Sequence, residues 1–423
     1  MTKSEILLKG LKEIIQNKTP FLNAINIVST SYSLNEKEKQ QLKKELSSIL
    51  KNYQKLFYEA TFLFPTYSYI SDEILLVIIT IKFLRDKEDI KKVQSNYNSA
   101  ITTYRLSLDA KDKFEEIVSR AKLPFVLEDR VKDDSILYNS IILELPKFFL
   151  EKLLLEYSFK DILLISKKLQ NNSPFYFLKN KDYLEKKIDL ESKEINNIVY
   201  YQANNFANAK DYLKKNIIYP ITKVELELIS KINILNVMPN ILITGENTHA
   251  ITNFFDSTYS HLKPKIMKVN SIENSIELEK IKLKHTTNLT STFELLKTYL
   301  VNYSYDFVIY KGNDIKIGKA SVYPNILPVL SESDFKESFE NQLNNLTTIS
   351  MFVNKNGLLL FYNYSLTKEE NTNVVNSFLS NNSEFSLVEK ESIISEETDF
   401  IGCFFILKRN AKWNQYIHFL LIN

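Results

Sequence analysis

The chain has 423 residues, of which 44% are hydrophobic and 25% are charged, proportions that are ordinary for a globular protein of two or three domains. Its 54 Lys and Arg against 51 Asp and Glu leave a net charge of +3, too small to indicate a nucleic-acid partner. One Cys excludes a disulfide framework and four dispersed His exclude a dense metal site, so no metal is expected. Only six Gly are present, which argues against a Gly-rich phosphate loop.

Neither a signal peptide nor a membrane-spanning helix is expected. Residues 1–5 lead into an amphipathic pattern and not into an apolar run. The longest apolar stretch, 74–84, contains Thr80 and Lys82 and is far shorter than the roughly 20 residues that a membrane-spanning helix needs. We therefore expect a cytoplasmic protein that makes no membrane contact.

Residues 1–140 are predicted to be helical throughout. Apolar residues recur at helical spacing from Ile6 to Ile15. Asn35 and Ser71 stand where their side chains can accept hydrogen bonds from the free N–H groups of a first helical turn. Gly and Pro are nearly absent within these segments, so the pattern predicts an all-α bundle.

Residues 141–236 are predicted to form a small α+β linking region. Pro146 favours the start of a helix, and the cluster from Gln170 to Pro174 ends a second one. Short β-like runs follow, and the apolar run 218–235 is predicted to close the region as a helix.

The linking region also mixes basic residues with aromatic ones. Such a mixture suits phosphate contacts combined with base stacking. The alternative is a solvated lysine surface over a small aromatic core, and the sequence leaves both open. Four lysines are the candidate RNA contacts: Lys179, Lys181, Lys186 and Lys187.

Residues 237–423 alternate short apolar runs with helical ones. This alternation predicts a doubly wound, Rossmann-like parallel sheet that binds ligands at the carboxyl ends of its strands. Only about ten residues separate the last two strands, too few for a helical crossover, so these strands are predicted to form an antiparallel hairpin. The predicted strands are 240–244, 265–270, 306–311, 358–363, 384–388 and 400–408, and the predicted helices are 248–261, 275–284, 292–303, 332–351 and 367–379.

Three segments of this region resemble motifs of the bacterial RNA cytosine-5 methyltransferases of the Sun/Fmu group, which act on 16S ribosomal RNA. Residues 355–371 read KNGLLLFYNYSLTKEEN and are similar, without a gap, to the family pattern G-x-L-V-Y-x-T-C-S-x-x-x-x-E-N. Residues 306–326 are similar to D-x-[IV]-L-x-D-A-P-C-S-x-x-G followed by H-P-D, with Gly318 in the Gly position. Residues 399–405 are similar to the family's D-G-F-F strand.

The resemblance extends over nearly the whole chain and implies a domain order. The helical residues 1–140 resemble the NusB-like RNA-binding domain of this group. Asn171-Asn172-Ser173-Pro174 matches the N-N-x-P that opens the family's linking region, here 141–236. Residues 237–423 would then be a class I methyltransferase domain.

The positions that carry the family's chemistry differ in this chain. The family nucleophile is a Cys that attacks carbon 6 of cytosine, and Tyr364 stands in its place. A phenol, with an ordinary pKa near ~10, is a poor substitute for a thiolate at neutral pH. Asp314 replaces the second family Cys, which assists product release, and Lys311 reverses the charge of a family Asp. No catalytic residue is therefore assigned, and Cys403 is predicted to be a core residue.

The cofactor loop differs in the same way. The family's D-x-C-A-x-P-G-G-K-T corresponds to ITGENTHAIT at 243–252, where His249, predicted to face solvent, and the next residue replace the Gly pair. The candidate cofactor contacts that remain are Gly245, Asn247 and Asn270, the last in place of the acidic residue that binds the ribose. We expect this chain to bind no cofactor. If the loop still binds one, the resemblance implies that it is S-adenosylmethionine.

The resemblance therefore implies an RNA-binding, ribosome-associated relative of these enzymes that has lost catalysis. Ribosomal RNA is the expected partner, a protein partner is possible, and the chain is expected to be a monomer. Two alternatives remain open. One is an active S-adenosylmethionine-dependent rRNA methyltransferase with divergent motifs and Asp314 as a general base. The other is a protein-interaction module in which the helical bundle binds a partner.

Overall fold

The computed structural model describes residues 1–65, 71–107, 111–125, 127–171, 174–183, 185–232, 239–246, 248–272, 275–280, 283–290, 304–394 and 401–410. The chain divides into two compact units, residues 1–171 with 320–332, and residues 172–319 with 333–423. Two sheets, of four and eight strands, belong to the second unit. The division into three domains stays a prediction.

The first unit is built from helices, as predicted. In chain order they are α1 (Lys3–Leu11), α2 (Phe21–Ser31), α3 (Glu36–Lys51), α4 (Tyr53–Leu63), α5 (Asp72–Arg85), α6 (Ile90–Tyr104), α7 (Phe114–Lys122), α8 (Asp129–Asp133), α9 (Ser135–Ile142), α10 (Lys147–Leu154) and α11 (Phe159–Gln170). Among the described residues, no helix of either unit combines the length and the apolarity that crossing a bilayer requires.

Local sequence signals explain where these helices begin. Asn35 and Glu38 form a capping box at the start of α3, and Ser71 accepts a hydrogen bond from the backbone N–H of Ile74 at the start of α5. Helix α5 is buried continuously from Ile74 to Ile81, so it forms the centre of the bundle. The likeness of this bundle to NusB stays a prediction.

The second unit combines the two sheets with the remaining helices. Its strands are β1 (Phe175–Lys179), β2 (Glu191–Ile195), β3 (Ile198–Ala203), β4 (Ile218–Ile221), β5 (Asn240–Thr244), β6 (Lys265–Ile272), β7 (Ser275–Lys280), β8 (Leu283–Thr290), β9 (Tyr305–Lys311), β10 (Val353–Asn363), β11 (Phe385–Ile393) and β12 (Gly402–Arg409). The remaining helices of the chain are α12 (Phe206–Lys214), α13 (Lys223–Ser230), α14 (His249–Thr258), α15 (Ile326–Val329, in the first unit), α16 (Glu332–Ser350) and α17 (Thr372–Asn381).

The larger sheet has the strand order β11-β12-β10-β9-β5-β6-β7-β8. Strands β6, β5, β9 and β10 run parallel to one another. Strand β12 lies between β10 and β11 and is antiparallel to both, which confirms the predicted terminal hairpin. The strand order reverses between β5 and β9, and such a reversal places a ligand crevice at the carboxyl ends of these strands.

The far edge of the larger sheet corrects one prediction. Residues 275–284 were predicted to be a helix, but the structure forms β7 there, antiparallel to β6, so this edge of the sheet is antiparallel as well as the predicted terminal hairpin. Ile276 and Leu278 alternate with polar residues, a period of two that fits a strand. The predicted helix 292–303 lies outside the described residues.

The linking region corrects a second prediction. Residues 218–235 were predicted to be one helix, but β4 and then α13 occupy their first part. Pro220 cannot donate a helical hydrogen bond, and the Thr222 side chain caps the N-terminus of α13. Both residues mark a break that the run of apolar residues concealed.

Apolar cores cover both faces of the parallel strands. Ile243 and Ile309 face the core that α13, α14 and the smaller sheet complete. Leu242 and Val308 face the opposite core, which α16 and α17 complete. Because both faces are covered, a ligand reaches these strands at their ends and not across a face.

Candidate functional site at the carboxyl ends of the parallel strands

The loops after β5, β9 and β10 meet at one edge of the larger sheet. Strand β9 lies between the other two and is parallel to both, so the three carboxyl ends are neighbours. The structure thereby brings together Gly245, Asp314 and Tyr364, three positions that the sequence analysis singled out.

Gly245 allows the loop after β5 to approach β9 closely. Its φ of +116° is one that side chains rarely adopt, and a Cβ would lie 2.7 Å from the carbonyl oxygen of Lys311. Its N–H donates to the carbonyl oxygen of Val269 at 3.2 Å. The glycine therefore serves packing within the protein, and its N–H is already used.

Tyr364, at the family's nucleophile position, is a fully buried side chain. Its hydroxyl lies 3.1 Å from Thr222 Oγ1 at the start of α13. Its N–H donates to Asp314 Oδ2 at 2.9 Å, and its carbonyl oxygen accepts from the N–H of Gly318 at 2.7 Å. Both the side chain and the backbone of Tyr364 are thus fixed in place.

Two lysine side chains lie against the ring of Tyr364. The distance from Nζ to the ring centroid is 3.8 Å for Lys319 and 5.4 Å for Lys311, so both amines contact the electron-rich face. Burial lowers the pKa of both, and the charge of Lys311 contributes to lowering the pKa of Lys319 to about 7.

Asp314, at the position of the second family Cys, holds the loop after β9 against β10. Its Oδ2 accepts the Tyr364 N–H, whereas its buried Oδ1 has no hydrogen-bond partner within the described part of the chain. Burial raises the pKa of this carboxyl group, and the charges of Lys316 and Lys319 oppose that effect. Lys316 itself is bonded to Glu246, with 2.9 Å between Nζ and Oε2.

A buried carboxyl group on α13 bonds to residues that contact the site, and the sequence analysis missed it. Glu225 Oε1 accepts from the Tyr362 hydroxyl at 2.9 Å, and its Oε2 accepts from the N–H and the hydroxyl of Thr222, both at 3.0 Å. The signal was present as the capping-box spacing of Thr222 and Glu225. It was hidden because a single helix was predicted across both residues.

Glu370 is a second buried carboxyl group at the site. Its spacing from Thr367 resembles a capping box, but Thr367 makes no such side-chain bond. Instead Glu370 accepts from the Ile315 N–H at 2.9 Å and from the Ser365 hydroxyl at 2.6 Å, and it also bonds to Ser338. Burial and the nearby Asp314 raise the pKa of Glu370 to about 7. The residue ties three segments around the site together.

A lysine of β6 extends the basic character of this edge. Lys268 is 1% exposed, and its Nζ lies 2.8 Å from Nδ1 of His249 at the start of α14. His249 is exposed, as predicted, but its ring contact with a buried lysine was not foreseen. Lys268 is in register with Ile243, so it lies on the same sheet face as Lys311.

Two features of the described residues bear on the binding of S-adenosylmethionine, whose sulfonium group is positively charged. The N–H of Gly245 is bonded within the protein, and buried amines of Lys268 and Lys311 lie at the edge where the cofactor would bind. Of the remaining predicted contacts, Asn247 and the side chain of Asn270 lie outside the described residues.

Several aromatic residues of the linking region pack into a small core, and the Lys186 amine lies 5.7 Å from the ring centroid of Tyr183. Phe177 is fully buried, and Tyr183, Tyr201 and Tyr212 pack against it, so the aromatic residues form a core. This favours the second of the two interpretations. Of the candidate RNA contacts, Lys186 and Lys187 are exposed and Lys179 is partly buried. The side chain of Lys181 is not among those that the structure describes.

Neither a metal centre nor a reactive thiol is found in the described segments. They contain no group of three His, Cys, Asp or Glu side chains placed to hold a metal. Cys403 is buried, its Sγ lies 3.2 Å from Asn363 Oδ1, and burial raises the pKa of its thiol. It is a core residue, as predicted.

Comparison with solved structures defines the class of fold. The protein designated PH0851 superposes on 97% of this chain and 99% of its own length, with a TM-score of 0.64 at 12% identity. A methyltransferase homologue from Pyrococcus horikoshii covers 66% of this chain and 99% of its own, with a TM-score of 0.51 at 14% identity. The chain therefore has a methyltransferase-like α/β fold.

Other comparisons add little to this assignment. NSun6 from Pyrococcus horikoshii, crystallised with SFG, superposes on 60% of this chain and 95% of its own with a TM-score of only 0.44, at 11% identity. No protein-family profile matches the sequence, and no curated protein is detectably similar to it. At identities this low, likeness establishes the fold and leaves the activity to be argued from the site.

Proposed function

We propose that this protein binds RNA on a methyltransferase-like fold and transfers no methyl group. The observation that carries the proposal is the burial of Tyr364, whose hydroxyl lies 3.1 Å from Thr222 Oγ1 and whose ring contacts Lys319. A cytosine attacked at carbon 6 must enter a pocket beside a reactive nucleophile. The contacts of the Tyr364 side chain with Thr222 and Lys319 argue against such a pocket for a base at this position.

The other family position supports the same conclusion. Asp314 is buried and bonded to the backbone of Tyr364, so it is not placed to remove a proton from a bound base. The amines of Lys268 and Lys311 disfavour a positively charged methyl donor at the same edge. These features argue against the alternative of an active enzyme with divergent motifs.

RNA, and ribosomal RNA in particular, is the proposed partner. The resemblance of the sequence to the 16S rRNA methyltransferases, with a NusB-like helical region, provides the reason. The exposed lysines Lys186 and Lys187 are the proposed phosphate contacts in the linking region. Because Tyr183, Tyr201 and Tyr212 pack against the buried Phe177, we propose contacts to the RNA backbone there and no base stacking.

Charge reversal tests the RNA surface. We expect the double variant Lys186→Glu/Lys187→Glu to bind a 16S rRNA fragment at least tenfold more weakly in a filter-binding assay, and to show a shallower dependence of affinity on salt. The matched control reverses Lys263 and Lys265, two exposed lysines at the amino end of β6 in the same unit. Equal affinities for the two variants would contradict this assignment.

Ribonuclease treatment separates RNA binding from the third alternative, a protein-interaction module. Proteins that co-purify with the chain through RNA should be released when the RNA is digested. A partner that stays bound at unchanged yield after digestion, together with no affinity for purified rRNA, would favour the protein-interaction module.

A further inference from the structure

The geometry points to a phosphate-binding site formed by Lys311 and Lys319 beside Tyr364, at the carboxyl ends of β9 and β10. The ligand class is a phosphate group, of an RNA backbone or of a free nucleotide. If the phosphate belongs to an RNA backbone, the inference rests on the proposed function. If it belongs to a free nucleotide, the inference is independent of it.

The charge of Lys311 is the first argument for an anionic ligand. Lys311 is 6% exposed, and among the described residues its amine has no hydrogen bond or ion pair beyond its contact with the Tyr364 ring. A buried charge without a partner is costly, which is why buried lysines are normally paired. An anion bound beside Lys311 would supply the missing partner.

The carboxyl groups around the site are already engaged. Glu225 accepts bonds from Thr222 and Tyr362, and Glu246 is paired with Lys316. Asp314 Oδ1 has no hydrogen-bond partner in the described segments, but it is buried and is not a ligand contact. Within the described segments these carboxyl groups form no ion pair with Lys311, so its amine is available to an anion such as a phosphate ester.

Position and access support the same ligand. The loops after β9 and β10 border the reversal of strand order, where open α/β sheets bind ligands. The Lys319 residue is partly exposed, and it lies in the loop that follows Lys311, the last residue of β9. Lysine amines suit phosphate well because they act as compact positive charges.

Protonation of Lys319 should accompany binding. Burial and the Lys311 charge lower its pKa to about 7, whereas Glu225 and Asp314 act in the opposite sense and Lys316 lowers it further. A bound anion raises the pKa of a neighbouring amine. Phosphate binding should therefore take up a proton, and its affinity should fall as the pH rises above about 7.

Thermal unfolding of the full chain in sodium phosphate, against sodium chloride of equal ionic strength, tests the site. We expect phosphate to raise Tm progressively for the wild type and not for Lys311→Met or Lys319→Met. Removal of a buried unpaired charge should leave Lys311→Met at least as stable as the wild type in chloride. Lys223→Met is the matched control, since Lys223 is paired with Glu227 and lies 5.1 Å from the ring centroid of Tyr200.

Two further ligands distinguish the source of the phosphate. Competition by an RNA oligonucleotide without terminal phosphates would assign the site to the RNA backbone, and competition by adenosine monophosphate alone would assign it to a nucleotide. A phosphate-dependent rise in Tm that is equal in the wild type and Lys311→Met, or absent from both, would overturn the inference. RNA binding by Lys186 and Lys187, measured separately, can fail or succeed independently of this result.

Discussion

At the scale of single residues, the site is organised around side chains that the protein uses for its own packing. The hydroxyl, N–H and carbonyl groups of Tyr364 all have partners, and its ring is enclosed by Lys311 and Lys319. Such a residue can be removed only at a cost in stability. Variants of Tyr364 therefore test whether this residue stabilises the fold or takes part in methyl transfer.

Substitution of Tyr364 should affect folding and not create activity. We expect Tyr364→Phe to lower the free energy of unfolding by about 1 kcal/mol through loss of the hydroxyl contact. Tyr364→Cys should lower it by about 3 kcal/mol because it leaves a cavity. Denaturant titration measures both, and transfer of labelled methyl groups to rRNA by Tyr364→Cys would contradict the proposed function.

Glu370 should make stability depend on pH. Its ordinary pKa of 4.5 is raised to about 7 by burial, so the folded state binds its proton more tightly than the unfolded state does. Its stabilising contribution is complete below about pH 4.5 and is lost as the pH rises through about 7. The wild type should therefore lose on the order of 1–3 kcal/mol more than Glu370→Gln between about pH 5 and about pH 8.

The exposed residue Glu340 on α16 provides the control for this comparison. Glu340→Gln should retain the wild-type dependence of the free energy of unfolding on pH. If Glu370→Gln follows the same curve as Glu340→Gln, Glu370 is ionised in the folded protein and its assigned pKa is wrong.

At the scale of secondary-structure elements, the parallel strands could be predicted and the edge of the sheet could not. Strands β5, β6, β9 and β10 are short, apolar and separated by helical patterns, so periodicity identifies them. Residues 275–284 carry an ambiguous pattern, and pairing with β6 decides in favour of a strand. Residues 218–235 were misassigned because their apolar run outweighed the break at Pro220 and Thr222.

The chemical content of the site was harder to predict than its position. Motif spacing placed Tyr364 and Asp314 correctly at the strand ends. It could not reveal that Glu225 lies under the site or that Lys268 contacts His249, because those contacts depend on how distant segments pack. Burial of charged residues is a tertiary property that local sequence does not encode.

The loop after β9 should be sensitive to added volume at Gly318. A Cβ there would lie 1.9 Å from the carbonyl oxygen of Ile401 and 2.7 Å from that of Tyr364, and backbone cannot move aside cheaply. We expect Gly318→Ala to cost about 1–3 kcal/mol in the free energy of unfolding. Gly10→Ala, where a Cβ meets only the side-chain end of Leu46, should cost less. Equal costs would show that the contact with Ile401 is not rigid.

At the scale of the whole molecule, a methyltransferase-like unit accompanies a helical unit in one chain. The strand order reverses between β5 and β9, where folds of this kind bind ligands, and the residues at these strand ends include the buried Lys311. Exposed lysines of the linking region belong to the same unit. This combination is the reason for proposing RNA binding without methyl transfer.

The most direct measurement is incubation of the purified protein with 16S rRNA and methyl-labelled S-adenosylmethionine, with RNA binding and label incorporation measured in the same samples. The account predicts that RNA is bound, in a salt-dependent manner, while label in the RNA stays at the level found without protein. Incorporation of label at carbon 5 of cytosine that increases with protein concentration would contradict it.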